Sequence, residues 1–187
     1  MGNENPASVL IVEDNRESID LLMYFLKPAG YELQTAEDGV EALKYVKHHP
    51  PDIILLDAML PRLNGYQVCR HLKSDPKTEH IPIIMITALK ELKDKLKALE
   101  VGADDFLTKP FDSIELMARV KSLLRLKKYH DDLIKQNQQL IQQQKMLERE
   151  NQLKKELTNL IIHDMKNPLF VIQGNLQMMS MVSSFFS

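Results

Sequence analysis

Cysteine is nearly missing from this chain: Cys69 is the only one. An internal disulfide is therefore excluded, and the composition suits a reducing cytosol. A dominant charge is missing too. The 24 Lys and Arg stand against 26 Asp and Glu, leaving a net charge of −2, so no global field favours nucleic acid or anionic lipid. No apolar run approaches the ~18–20 residues of a membrane span. The opening Met-Gly-Asn-Glu-Asn-Pro lacks the basic and apolar regions of a signal peptide, and the Ser or Thr at position 6 that myristoylation prefers. The six glycines are scattered, so no Gly-rich nucleotide loop exists. A soluble, cytoplasmic protein is the expectation, with no membrane span and no nucleic-acid partner.

What is present is enough for one ordinary domain and something extra: 187 residues, 44% of them apolar. Ile53 to Leu56 is a short, wholly apolar run, the mark of a strand buried on both faces. Asp57 stands at its end, and Pro61 with Asn64-Gly65 turns the chain away. A helix N-cap is the bland role for Asp57, but nothing helical begins at Ala58-Met59-Leu60-Pro61. Val9 to Val12 is a second apolar run, ended by Glu13 and Asp14. Asn15 is placed to cap a helix whose apolar face is Ile19, Leu22, Met23 and Leu26, stopped by Pro28 and Gly30. Tyr31 to Thr35 reads as a strand. Asp38 with Glu41 resembles a capping box opening a helix with Val40, Leu43 and Val46 inward.

A helix over Tyr66 to Lys73 follows, then a buried strand over Ile81 to Ile86 ending in Thr87-Ala88. Leu92, Leu96 and Leu99 line the next helix, which Gly102 is placed to terminate. Asp105 to Thr108 is a last short strand, ended by Lys109-Pro110-Phe111, and Asp112 with Glu115 makes another capping-box-like start. Strand and helix alternate five times, which predicts a parallel sheet with helices on both faces.

Each polar group of interest follows a strand: Glu13, Asp14, Asp57, Thr87 and Lys109. In a sheet of order 2-1-3-4-5 the first and third strands flank the topological switch point, where ligands bind. Three carboxylates converging there repel, and a hard divalent cation relieves the repulsion; with few protein ligands and room for water, Mg²⁺ fits better than Ca²⁺. Carboxylates, metal, a hydroxyl and an ammonium together make a site for a transferred phosphoryl group. Lys109 and the metal neutralise its oxygens, Thr87 donates a hydrogen bond, and an Asp carboxylate is the nucleophile.

From Phe111 to Asn167 there is no Gly and no Pro, so one helix could run ~80 Å at 1.5 Å per residue. Leu126, Leu133, Leu140 and Leu147 recur every seven residues, a coiled-coil spacing. The a-type positions after Leu123 are polar: His130, Asn137, Gln144 and Asn151. From Met146 the apolar set shifts to Met146, Leu153, Leu157 and Leu160, a stammer-like break. The amides of Gln136 to Gln144 alone would suit a disordered tract, but the retained Leu/Ile spacing favours helix. Further on stands His163-Asp164-Met-Lys-Asn167-Pro168. Asp164 could accept a proton from His163, Asn167 lies at i+4 on the same face, and Pro168 should kink the helix.

Residues 8–127 resemble the receiver domain of bacterial response regulators. The matching residues are Ile11-Val-Glu-Asp-Asn15, Asp57-Ala-Met-Leu-Pro61 with Gly65, Thr87-Ala88 and Lys109-Pro-Phe111. The resemblance implies a five-stranded, doubly wound parallel α/β sheet of flavodoxin-like order 2-1-3-4-5. It implies that Asp57 is the phosphoacceptor, that Glu13, Asp14 and Asp57 hold Mg²⁺ with Asp14 a direct ligand, and that Lys109 contacts the phosphoryl group. Thr87 and Phe106 would be the switch pair and Lys109-Pro110 a cis bond, against a base rate of ~5–6% for X–Pro.

The residues around His163 resemble the phosphoacceptor box of sensor histidine kinases. That implies a phosphate-carrying His163, assistance from Asp164 and support of dephosphorylation by Asn167. No ATP-binding domain follows, so no autonomous kinase activity is expected.

The organisation read from these features is a receiver at 1–127, a coiled-coil linker helix at 128–156 and a truncated kinase-type dimerisation helix at 157–187. Its expected partners are a histidine kinase or phosphotransfer protein and a second copy, paired as a homodimer through the long helix. The competing reading is a Mg²⁺-dependent phosphohydrolase with an Asp nucleophile. Such enzymes place a second Asp two residues on, where this chain has Met59. A fragment of a hybrid receiver–histidine kinase is the other alternative. A transcription regulator would need a basic recognition module, and none follows the receiver.

Overall fold

The computed structural model describes residues 6–88 and 100–185, with side chains of the last helix described as far as Asp164. Five strands, β1 (Ser8–Val12), β2 (Glu32–Ala36), β3 (Ile53–Asp57), β4 (Ile83–Thr87) and β5 (Asp105–Thr108), form one sheet. Its order is β2-β1-β3-β4-β5 and every pairing is parallel. The helices are α1 (Arg16–Leu26), α2 (Gly39–His48), α3 (Gly65–Lys73) and α4 (Ser113–Phe185). The expected helix carrying Leu92, Leu96 and Leu99 lies outside the described residues. Two compact units divide between Asp132 and Leu133.

The central strands β3 and β4 are buried at every residue, and apart from Asp57 and Thr87 at their ends their side chains are apolar on both faces. One face carries Leu10, Val12, Ile54, Leu56, Ile83 and Met85 against Ala42 and Val46 of α2 and Val68, Cys69 and Leu72 of α3. The other carries Val9, Ile11, Ile53, Leu55, Ile84 and Ile86 against Leu22 and Leu26 of α1 and Leu116 and Val120 of α4. Burying each such side chain contributes about 1.5–3 kcal/mol. This double packing fixes the strand ends that carry the polar groups.

The helix starts follow local hydrogen bonding. Asn15 Oδ1 accepts the Ser18 N–H at 2.9 Å. A short 3₁₀ turn, Lys27–Ala29, and Gly30 at φ 77° end α1. Asp38 Oδ1 accepts the N–H groups of Val40 and Glu41. The capping box expected there does not close, because Glu41 accepts from the Glu37 N–H instead. The inward face of α2 differs as well. Val40 is 51% exposed while Ala42 and Val46 are buried, since at ~100° per residue Val40 lies about 240° around the helix from Val46. A complete capping box does form at α3: Asn64 accepts the Gln67 N–H, and the Gln67 side chain accepts the Asn64 N–H.

Helix α4 begins where Asp112 Oδ1 accepts the Glu115 N–H at 2.8 Å. The Glu115 carboxylate turns to Arg119, which also holds Asp105 of β5. Near the end of the first unit, Lys127 Nζ lies 3.2 Å from Asp52 and 2.9 Å from Asp131. Asp52 also accepts both the N–H and the hydroxyl of Ser8, so the helix is tied to the start of β1. In the second unit, every described side chain from Leu133 to Asp164 is exposed, including the heptad leucines Leu133, Leu140 and Leu147. The helix is not ended at Pro168 and continues to Phe185. Among the described residues, no helix is long and apolar enough to cross a membrane.

Candidate functional site

The ends of β1, β3 and β5, with β4 between the last two, place the site. Glu13 follows β1, and its N–H donates to the Ala36 carbonyl at 3.1 Å. Asp57 closes β3 opposite Ile86 of β4. Lys109 follows β5, and its N–H donates to the Thr87 carbonyl at 2.8 Å. The Lys109–Pro110 bond is cis, in accord with the sequence expectation. From there the Lys109 ammonium reaches across the sheet, 2.5 Å from Asp57 Oδ2 and 2.6 Å from Glu13 Oε2. Two acids, 52 and 96 positions from Lys109 in sequence, thus share one cation.

Burial makes this pairing consequential. The Glu13 and Asp57 side chains are 3% and 8% exposed, and that of Lys109 is 28% exposed. Burial pushes the Glu13 carboxyl up to about 7, opposed by the Lys109 hydrogen bond and reinforced by the neighbouring Asp57. Burial alone would lower Lys109, yet its bonds to Asp57 and Glu13 outweigh that and hold it above its ordinary value. Two acids packed against each other in low dielectric need positive charge between them, and here the ammonium supplies it.

The remaining contacts aim Asp57. Its Oδ1 accepts the Met59 N–H at 2.6 Å, which leaves Oδ2 toward Lys109. Gly65 packs so close behind that a Cβ there would lie 2.1 Å from the Asp57 carbonyl oxygen. The sequence marks Gly65 only as a turn residue. Neither the Met59 N–H nor this close approach has a side-chain signature, so neither was legible from residue types.

The expected residues fall into three groups. Glu13, Asp57 and Lys109 are in direct contact. Thr87 is buried at the end of β4, in register with Thr108. Phe106 lies in β5 opposite Met85 and packs against the α2–α3 side of the core. Asp14 is exposed, and among the described residues it forms no hydrogen bond or ion pair. His163 and Asp164 lie on the exposed second unit, with Nδ1 3.6 Å from Oδ1 and side chains 74% and 82% exposed. The Asn167 side chain lies outside the described residues.

Among the described residues, no three or more His, Cys, Asp or Glu side chains are already spaced as a complete cation site. The donor chemistry nevertheless fits a hard divalent ion. Glu13 and Asp57 are buried oxygen donors that already share a cation, and Asp14 stands at the exposed rim beside Glu13. A metal that keeps several waters needs no more from the protein.

The family model described as response regulator receiver domain matches residues 9–121. Response regulator PleD of Caulobacter vibrioides is 49% identical over 127 residues, which cover 68% of this chain and 28% of that protein. The alkaline phosphatase synthesis transcriptional regulatory protein PhoP of Bacillus subtilis is 47% identical over 117 residues, 63% of this chain and 48% of its own length. The chain thus spans half or less of these relatives. Among solved structures, the receiver domain of a sensor histidine kinase from Pseudomonas aeruginosa, with a magnesium ion coordinated in its active-site cleft, matches at TM-score 0.60. Its identity is 30%, over 64% of this chain and 98% of that one. The signal receiver domain of a histidine kinase from Syntrophus aciditrophicus matches at TM-score 0.61 and 38% identity, over 64% of this chain and 90% of that one.

Proposed function

Because this chain belongs to the response regulator receiver domain family, we propose that it takes a phosphoryl group on Asp57 from a histidine kinase or phosphotransfer protein. Its long helices, paired in a homodimer, then pass on the phosphorylated state. The observation that carries this reading is the Lys109 ammonium held between Asp57 and Glu13 at three strand ends. In the transfer, Asp57 Oδ2 attacks phosphorus, and the bond from phosphorus to the donor atom breaks with the electron pair leaving on the donor. The Met59 N–H holds Oδ1, so Asp57 presents one oxygen. Lys109 stays within reach of the oxygens of the incoming group and offsets their charge. Thr87 supplies a hydroxyl at the neighbouring strand end, and Phe106 on β5 is its partner in switching. Mg²⁺, held by Glu13, Asp14 and Asp57, supplies further neutralisation of the phosphoryl oxygens when bound.

The organisation that serves this function is a receiver at 1–127, a coiled-coil linker at 128–156 and a dimerisation helix at 157–187. The exposed leucines of α4 support pairing with a second copy, since an isolated helix gains nothing from such a stripe. A phosphohydrolase reading is weaker: the position two residues after Asp57 holds Met59, which is 63% exposed and carries no acid. His163 would carry phosphate only where an ATP-binding domain is brought to it.

Acetyl phosphate tests the first step. With Mg²⁺, intact-mass spectrometry should show one added phosphate on the native chain and none on Asp57→Asn. Equal labelling of that variant at one dominant site would move the phosphoacceptor elsewhere.

A further inference from the structure

The opposite edge of the sheet carries a second collection of charge that phosphoryl chemistry at Asp57 does not use. Helices in a parallel sheet run back from the strands' C-terminal edge, so α2 and α3 end far from Asp57. Between those ends lies a cavity of about 820 Å³, within the range of small-ligand sites. Its floor is apolar, made by Leu43, Val46 and Leu72. Its walls carry Lys44, Lys47, His48, His71 and Lys77 against one acid, Asp75.

Two observations characterise this groove. First, five basic groups line this one cavity, and among the described residues none of the five forms an ion pair. Cations suit the last turn of a helix, which accounts for Lys47, His48 and His71. Lys44 and Lys77 lie outside those last turns. Second, the wall after α3 is already fixed. Lys73 Nζ donates to the carbonyls of Glu79 and Ile81, and the Thr78 hydroxyl donates to the Leu72 carbonyl. Asp75 is engaged within the turn, accepting the Lys77 N–H at 2.9 Å. The single acid therefore shapes the loop, while the basic groups remain available. A chain of net charge −2 thus holds a local positive groove with a greasy floor and a preformed wall.

We propose that this groove binds a small organic phosphate. Its phosphoryl groups meet Lys44, Lys47, His71 and Lys77, and its apolar body lies on Leu43, Val46 and Leu72. Lysine ammonium groups suit phosphate as point charges and a histidine ring N–H can donate to it, and the floor favours a ligand with a flat or aliphatic body over a bare ion. Such a ligand bridges α2 and α3 and would bind whether or not Asp57 carries phosphate.

The test is calorimetric titration of the full chain with ADP in EDTA, which keeps metal away from the Asp57 edge, with pyrophosphate as the second probe. The variants Lys44→Gln/Lys47→Gln and His71→Gln/Lys77→Gln remove exposed groups, and circular dichroism checks that they stay folded. Each should weaken ADP binding about tenfold, as should raised salt, while Lys109→Ala leaves it unchanged. ADP should bind more tightly than pyrophosphate. The assignment is overturned by no ADP binding at millimolar concentration, by equal binding to the charge variants, or by loss of binding in Lys109→Ala, which would place the anion at the Asp57 edge. Pyrophosphate binding as tightly as ADP would overturn the organic ligand.

Discussion

Replacing Asp52 by Ala should loosen α4 at Lys127 from the sheet without touching the Asp57 edge. Asp52 accepts the Ser8 N–H at 2.9 Å, the Ser8 hydroxyl at 3.1 Å and the Lys127 ammonium at 3.2 Å. A hydrogen bond of this kind nets about 0.5–1.5 kcal/mol, and an ion pair screened by solvent on one side about 0.2–1 kcal/mol. The Asp52 side chain is 40% exposed, so the charge contribution is screened and the lost Ser8 groups regain water. Lys127 keeps Asp131 at 2.9 Å, and the backbone N–H of residue 52 keeps the Ser8 hydroxyl. The expected loss is therefore about 1–2 kcal/mol. With a urea slope near 1.5 kcal/mol per molar, the midpoint should fall by about 1 M. All five tyrosines lie at or before Tyr129, so tyrosine emission during urea unfolding reports the first unit and not the exposed second unit.

The pH dependence of that loss separates charge from packing. Burial would raise Asp52, but the Ser8 N–H, Lys127 and the Ser8 hydroxyl hold it below its ordinary 3.8. A depressed acid contributes stability that is fully present above the unfolded value and is lost as pH falls through the folded one. The difference between native and Asp52→Ala should thus be constant above about pH 5 and shrink as the solution is acidified below that. Asp52→Asn should lose less at neutral pH, and Lys127→Met combined with Asp52→Ala should show a coupling of about 0.5–1 kcal/mol. A loss that is the same at pH 7 and in acid, or no loss at all, would refute the reasoning.

Changing both Leu133 and Leu140 to Asp should give monomers in sedimentation velocity while the receiver stays folded, since each well-buried Leu contributes about 1.5–3 kcal/mol to pairing; an unaltered dimer would place the interface elsewhere. Gly65→Ala should cost about 2 kcal/mol or more, because its Cβ would meet the Asp57 carbonyl, and acetyl phosphate labelling should slow with it; unchanged stability and labelling would show that the loop yields freely. Burial pushes the Cys69 thiol up to about 11, with Lys73 opposing weakly and Asp104 adding to the rise. At pH 8 it should react with a disulfide reagent only as the receiver unfolds, so rapid labelling of the folded chain would contradict its placement.

Residue types by themselves determined most of the fold. Runs such as Ile53–Leu56, caps such as Asn15 and the five alternations of strand and helix are local, since period and turn chemistry are written within a few residues. The strand-end rule then placed Glu13, Asp57, Thr87 and Lys109 at one edge, because every parallel strand ends on the same side. Only the tertiary structure decided which of them touch. Lys109 bridges Asp57 and Glu13 because β3 lies beside β1 while the loop after β5 is held to the Thr87 carbonyl, and no periodicity encodes that reach. It also decided that Val40 faces out and Ala42 in, and that Glu41 accepts from Glu37. The tie from Ser8 through Asp52 to Lys127 joins residues 44 and 75 positions apart, and the hold of the Met59 N–H on Asp57 and the approach of Gly65 to its carbonyl use backbone groups that every residue carries alike. A pattern of side chains cannot mark them, because what distinguishes one backbone amide or carbonyl from another is where the fold has put it.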